Sequence, residues 1–463
     1  MATTYLKRVI AADGSNTIGT ISAWVKRGEG IGSQSAILGG SEGTDANNRI
    51  FFGFWGDGEL ALQIVNGGTA YEQSSAARYK DPAAWYHVVA RLNTGDSTAQ
   101  DRIKLYVNGT QVTAYLNNST FPDGVDIKLF ENTTSCEDII NARKSGSTYN
   151  NIRGGMVSHL HVVDGTAYDA STFGETDSTS GIWIPKPSPT VTYGTNGFFL
   201  KFENSSNMDL DSGTNAFTNF TTVGTLTETK DNPSNNFCTF NPLDNFWAGA
   251  TFSNGNNTVA TVGGNYSPLS TTYGLTKGLW YWELKQTSHS AVNQQTLAGI
   301  SGNAWTSAAS ISATTQLGKH TQQYAFYAES GKIVTDDVAE NYGTTQAEVD
   351  DIIQCYIDLD ANKIYFAVND TLGSSTGFDI TAAASTLNQY YVPAVSYWSG
   401  TTGTLPHNFG NGYFATTAVT SAVADAGGEG AFEYDPSRGG ASDFDGSAKN
   451  FRAICSNNLA TYG

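Results

Sequence analysis

The sequence predicts an all-β chain folded as β-sandwich domains, and three observations carry that prediction. Short runs alternate apolar and polar residues at the period of a pleated strand, and no segment before Asp164 sustains a helical period. Gly-rich turns and an Asn-Gly pair separate those runs at the spacing of a sandwich. Gly (50), Tyr (23) and Phe (23) are abundant while charged residues make up only 15%, a composition suited to sheets and turns. At 463 residues the chain is long enough for two or three domains, each with its own core.

Taken in order, Ile18 to Arg27 reads as a strand with Ile21, Ala23 and Val25 on one face and Trp24 on the other. Ala36 to Leu38, Arg49 to Trp55 and Glu59 to Val65 follow as strands. Trp85 to Leu92 and Arg102 to Val107 form the central pair. In the latter, Ile103, Leu105 and Val107 face one way and Arg102, Lys104 and Tyr106 the other. Asn108-Gly109 supplies the positive φ values of a two-residue hairpin turn. A further strand runs from Met156 to Val163.

These landmarks, Ser22-Ala23-Trp24-Val25, Trp85-Tyr86-His87-Val88, Leu105-Tyr106-Val107-Asn108-Gly109, and Gly154-Gly155 leading to Val163-Asp164-Gly165, resemble a laminin-G-like, concanavalin A-type jelly roll over residues 1–174. Residues 175–237, with Pro185, Pro187 and Pro189, read as a proline-stiffened linker. Within it Gly197 to Phe202 is apolar enough to pair with or pack on a neighbouring sheet. From Cys238, the runs Gly278 to Lys285, Leu297 to Ser301, Cys355 to Asp370, Tyr391 to Ser396 and Asn408-Phe409-Gly410 resemble a SPRY domain, also a bent β-sandwich, over 238–415. The tail, 416–463, carries Phe432, Tyr434, Phe444 and Phe451, and is expected to lie back on the second domain.

A formal charge of −18, from 25 basic and 43 acidic residues, repels phosphate backbones and speaks against a nucleic-acid partner. Apolar runs are too short for a membrane-spanning helix, so no membrane insertion is expected. The first eight residues lack the apolar core of a signal peptide. Cys136, Cys238, Cys355 and Cys455 are far apart, form no Cys-x-x-Cys pair, and fit free buried thiols made in a cytosol. Asn-x-Ser/Thr triplets such as Asn132-Thr133-Thr134 are expected to stay unmodified.

No catalytic residues emerge. The Glu-x-Asp-x-x-Glu strand of the related retaining glucanases is absent, and Asp358-Leu359-Asp360 is better read as part of a turn. Gly39-Gly40-Ser41-Glu42-Gly43 matches a nucleophile elbow in letters, but a strand rather than a helix follows. His159 and His161, expected on one strand face near Asp164, read as ordinary surface histidines short of a metal ligand set. The laminin-G resemblance implies calcium as a cofactor at the loop rim, with Asp45, Asp57, Asp96 and Asp101 as oxygen donors. Their spacing matches no twelve-residue calcium loop. For sugar binding, aromatics that stack on pyranose faces and polar neighbours that bind hydroxyls are needed. Trp55 with Asp57, Tyr149 with Asn150, and Tyr397 with Trp398 before Ser399-Gly400 fit that need, although each aromatic also suits a core or inter-domain position.

The whole chain, including Thr192 to Phe202 and the closing Phe451 to Leu459, resembles virion structural proteins of tailed phages that infect marine bacteria. That resemblance implies a protein made in the host cytoplasm and displayed on the virion surface as a homo-oligomer beside other virion proteins. The expected role is a non-enzymatic, tail- or fibre-associated adhesin for host-surface polysaccharide. The alternative is capsid decoration or another structural role through protein contacts alone, favoured by the absence of a coiled-coil shaft sequence before the domains. Glycoside hydrolysis ranks third.

Overall fold

The computed structural model describes residues 3–28, 32–132, 136–218, 220–244, 250–261, 266, 268–287, 295–302, 315–343, 346–398, 403–438 and 443–463. The chain forms two compact units, Met1–Glu228 and Thr229–Gly463, whose regular elements are almost all strands.

The strands of the first unit are β1 (Tyr5–Val9), β2 (Ile18–Arg27), β3 (Ser35–Ser41), β4 (Arg49–Phe54), β5 (Glu59–Asn66), β6 (Thr69–Arg78), β7 (Trp85–Asn93), β8 (Ile103–Val107), β9 (Thr110–Gln111), β10 (Tyr115–Asn118), β11 (Glu137–Ile140), β12 (Arg143–Ser145), β13 (Thr148–Asn150), β14 (Gly155–Asp164), β15 (Gly174–Thr176), β16 (Trp183–Pro185), β17 (Phe198–Leu200) and β18 (Thr221–Val223). An eight-stranded sheet runs β10-β6-β5-β4-β3-β11-β1-β18, and a six-stranded sheet runs β17-β14-β2-β7-β8-β9. Alternation places Ile50, Phe52 and Phe54 of one sheet against Ile21, Val25, Val88, Ala90 and Leu105 of the other. Each such buried side chain contributes roughly 1.5–3 kcal/mol relative to exposure. At the central hairpin Asn108 (φ 46°) and Gly109 (φ 78°) are both left-handed, and Asn108 Oδ1 accepts the His87 N–H at 2.8 Å.

Residues 175–228 are part of this unit, which corrects the expectation of a linker. The reason is aromatic burial. Phe173, Tyr193 and Phe199 close over Val89, Tyr106 and Val163 on the outer face of the six-stranded sheet, while Trp183 packs with Trp24, Trp85 and Met156. β17 extends that sheet by pairing with β14, and β18 pairs with β1. The same cover corrects the reading of the histidines. A bulge interrupts β14 between Ser158 and His161, with His159 at φ 47°. His161 is buried, its ring 3.8 Å from that of Phe199 and its Nδ1 2.8 Å from the Tyr193 hydroxyl, so it is no surface residue.

The second unit comprises β19 (Ala250–Ser253), β20 (Thr258–Thr261), β21 (Leu269–Ser270), β22 (Leu279–Lys285), β23 (Gln295–Ser301), β24 (Gln323–Tyr327), β25 (Lys332–Thr335), β26 (Val338–Asn341), β27 (Ile352–Asp358), β28 (Lys363–Val368), β29 (Thr371–Leu372), β30 (Phe378–Asp379), β31 (Val392–Trp398), β32 (Gly403–Asn408), β33 (Tyr413–Phe414), β34 (Thr417–Ala418) and β35 (Arg452–Ala453), with one terminal helix, α1 (Ser456–Tyr462). One sheet follows β19-β20-β32-β22-β27-β28-β29, with β30 and β35 attached, and the other β21-β31-β23-β24-β25-β26. Trp280, Trp282, Ile357, Phe366, Ile300 and Phe326 fill the space between them. On the far side of the first of these sheets, Tyr281, Tyr356 and Tyr365 align in register across three strands. The tail covers that tyrosine row with Phe432, Phe444 and Phe451, all fully buried. All four cysteines are buried thiols outside any disulfide.

Candidate functional site

The outer face of the eight-stranded sheet in the first unit carries an aromatic platform. Inward placement of Ile50, Phe52 and Phe54 turns Arg49, Phe51 and Gly53 outward on β4. Trp55 follows in a turn closed by the Gly58 N–H to its carbonyl at 2.8 Å, and its ring stacks on Phe51 with centroids 4.3 Å apart and planes 4° apart. Gly53 makes this possible, since a Cβ there would sit 3.0 Å from the Phe51 ring and closer still to the Ser35 carbonyl. Ala36 and Ala61, the cross-strand neighbours of Gly53, complete a floor of small residues.

Polar groups extend the platform in register across the strands. Phe51 pairs with Gln63, and Gln63 pairs with Glu72. The Glu72 carboxylate accepts Trp55 Nε1 at 2.9 Å, Gln63 Nε2 at 3.0 Å and Asn117 Nδ2 at 3.0 Å. On the other side the β12/β13 hairpin lies on the sheet. A Cβ on Gly39, the partner of Phe51 on β3, would come within 2.7 Å of the Ala142 carbonyl, so glycine is required for that close approach. The hairpin brings the Arg143 guanidinium 5.8 Å from the Phe51 ring centroid. Sequence reasoning singled out Trp55 but missed Phe51, Gln63, Glu72 and Arg143. Only the small residues at 36, 53 and 61 within otherwise apolar strands hinted at a flat outer surface.

The other expected sugar ligands are placed differently. Asp57 is exposed beside Arg78 and Lys80, at 3.5 and 4.0 Å. Tyr149 stacks on Tyr5 at 4.8 Å and donates its hydroxyl to Glu137, which also pairs with Lys144 at 2.6 Å. Its ring is therefore already engaged. Asn150 pairs across the hairpin with Arg143, and its Oδ1 has no donor among the described residues. Tyr397 is only 1% exposed and belongs to the core of the second unit, which removes it as a sugar platform. Alternation then turns the neighbouring Trp398 outward, half-buried opposite Gln295. Ser399 and Gly400 lie outside the described residues.

Each calcium candidate serves its own loop. Asp45 accepts the Asn47 N–H and Asn48 Nδ2, Asp96 accepts the Thr98 N–H, and Asp101 pairs with Lys104 at 2.9 Å. Among the described residues no group of three His, Cys, Asp or Glu side chains is placed to hold a metal ion.

Pairings with catalytic letters have structural geometry. Ser22 Oγ lies 2.9 Å from His87 Nε2, but His87 Nδ1 accepts the Trp183 indole N–H. An indole nitrogen only donates, so the His87 proton sits on Nε2 and points at the serine, the wrong tautomer for a base. Burial also drives the His87 pKa down to about 3. Ser41 ends β3 and a strand, β4, follows its turn. Asp358 accepts the Ala361 N–H and Lys449 Nζ, and Asp360 accepts the Gly278 N–H, so both stabilise a turn. In the depression they line, Lys449 pairs with Asp358 and Arg452 lies 3.5 Å over the Tyr462 ring.

Residues 4–130 match the concanavalin A-like lectin/glucanases superfamily, and residues 279–408 match the SPRY domain. No curated protein matches the chain. Among solved structures, the SPRY domain of human HERC1 is 17% identical, covering 36% of this chain and 96% of its own, with a TM-score of 0.29. A heptameric SAP-like pentraxin from Limulus polyphemus is 20% identical, covering 43% of this chain and 85% of its own, with a TM-score of 0.29. The chain thus carries a concanavalin A-like domain and a SPRY domain in tandem.

Proposed function

We propose that this tandem of concanavalin A-like and SPRY domains is a non-enzymatic binding protein whose first unit takes saccharide on the outer face of its eight-stranded sheet. The observation that supports it is the partly exposed Trp55 ring lying flat on the buried Phe51, beside Gly53, Ala36 and Ala61 and flanked in register by Gln63 and Glu72. A planar indole suits the apolar face of a pyranose, and the neighbouring amide and carboxylate suit its hydroxyls. In this reading no calcium is required, since the ligand meets side chains directly.

The setting we propose is a virion surface facing host polysaccharide, on the strength of the sequence resemblance along the chain. Two measurements test the two parts. Loss of retention on immobilised host polysaccharide in Trp55→Ala supports the platform, and unchanged retention removes it. Gold-labelled antibody on purified particles should mark the tail or fibre tips. Label over the head replaces adhesion with capsid decoration, and absence of label removes the virion assignment.

A further inference from the structure

The platform carries two arginines that the neutral-sugar reading does not use. Arg49 and Phe51 project from the same face of β4, and the hairpin lays Arg143 over that Phe51 ring. Neither guanidinium has a carboxylate within ion-pair distance among the described residues, and the Nε atoms of both are buried without a hydrogen-bond acceptor. The nearest acid acting on Arg49 is Asp45, whose oxygens already accept from Asn47 and Asn48. Glu72, on the other side of the stack, accepts from Trp55, Gln63 and Asn117 and pairs with neither arginine. Burial lowers the pKa of both arginines, and the Arg49 charge lowers that of Arg143 further. In a chain with 43 acidic residues against 25 basic ones, two neighbouring cations left without an acid are a placed feature.

We infer that the face binds a carboxylate-bearing saccharide, Trp55, backed by the buried Phe51, taking the sugar ring and the Arg49 and Arg143 guanidiniums taking the carboxylate. The inference rests on the saccharide reading above and narrows it to uronate-type sugars. A guanidinium presents a planar fork that matches a carboxylate in two parallel hydrogen bonds, and desolvation beside an aromatic ring strengthens that pairing. The anion would also relieve the repulsion between the two arginines.

The test measures binding of the full chain to polygalacturonate and to its fully methyl-esterified form, which keeps the sugar rings and removes the charge. The free acid should bind about tenfold or more tightly than the ester, the size expected of hydrogen bonds to a charged group. Arg143→Gln and, separately, Arg49→Gln should bring the ratio of the two affinities close to one. Equal wild-type affinities, or a ratio unchanged in both variants of intact circular dichroism, overturn the arginine assignment while leaving the platform standing. Undiminished binding of both polymers in Trp55→Ala overturns the platform instead, and binding of neither polymer by the wild type overturns both. Dextran sulfate binding more tightly than polygalacturonate would replace the carboxylate by a sulfate and overturn the uronate class.

Discussion

The six-stranded sheet of the first unit and the β22-containing sheet of the second share one solution for their outer faces, and the eight-stranded sheet departs from it. In the first case the segment after β14 lays Phe173, Trp183, Tyr193 and Phe199 over buried His87 and His161. In the second the tail lays Phe432, Phe444 and Phe451 over the tyrosine row. Both faces are closed by chain that follows the sandwich. Among the described residues the eight-stranded sheet receives only a short hairpin, which leaves Trp55 and its polar neighbours partly exposed. A face that has its own cover adds stability, and a face left partly bare has room for a ligand.

Removing an aromatic from a closed face should have the largest effect. Phe451→Ala or Phe444→Ala should destabilise the second unit by about 3–5 kcal/mol in urea unfolding, as for other buried rings. A loss below about 1 kcal/mol would show that the tail is not part of the cooperative fold.

The buried Glu283 ties that cover down, accepting the Glu433 and Tyr434 N–H groups, Asn408 Nδ2 and the Tyr281 hydroxyl. Glu283→Gln turns one acceptor into a donor facing donors, and should cost about 1–3 kcal/mol.

The two covers should also differ in pH dependence. Burial raises the Glu283 pKa to about 7 despite its donors, so its proton is bound more tightly in the folded state. Its contribution is complete below the unfolded value near pH 4 and is lost as pH rises through about 7. His87 and His161 are held neutral by burial, so their contribution is present above the unfolded histidine value of about 6.5 and is lost as pH falls through their depressed folded values. His407 in the second unit, also held neutral by burial, and Glu131 in the first, raised to about 7, act in the opposite sense, so the Glu283 contribution is read from thermal melts of wild type against Glu283→Gln. The difference should shrink as pH rises from 4 to 8, and a constant difference would refute it.

On the bare face, Trp55→Ala should cost less stability than a closed-face ring because Trp55 is only partly buried, while removing saccharide retention. The smallest effect is expected at Asp57, where Asp57→Asn should change stability by under about 0.5 kcal/mol, with or without calcium, because its pairs with Arg78 and Lys80 are solvent-exposed.

Much of the fold was legible because alternation is a local property. Ile103, Leu105 and Val107 fall on the core side as their period requires, Trp24 falls on the opposite side, and Asn108-Gly109 turns the hairpin through paired left-handed φ values. The site was legible only in part. Trp55 stood out beside Gly56-Asp57-Gly58, but its stacking partner looked like one more strand phenylalanine.

Strand content, the order of the landmarks and the tandem of two sandwiches were local matters, since they follow from side-chain period and turn chemistry within a few residues. Tertiary structure decided which faces are closed and which is bare. It drew residues 175–228 into the first unit, buried His161 and Tyr397, and brought Arg143 over Phe51 from far along the chain. The physical reason is that a strand's pattern specifies two faces, whereas the partner that covers each face comes from distant chain and is chosen by the apolar area it removes from water.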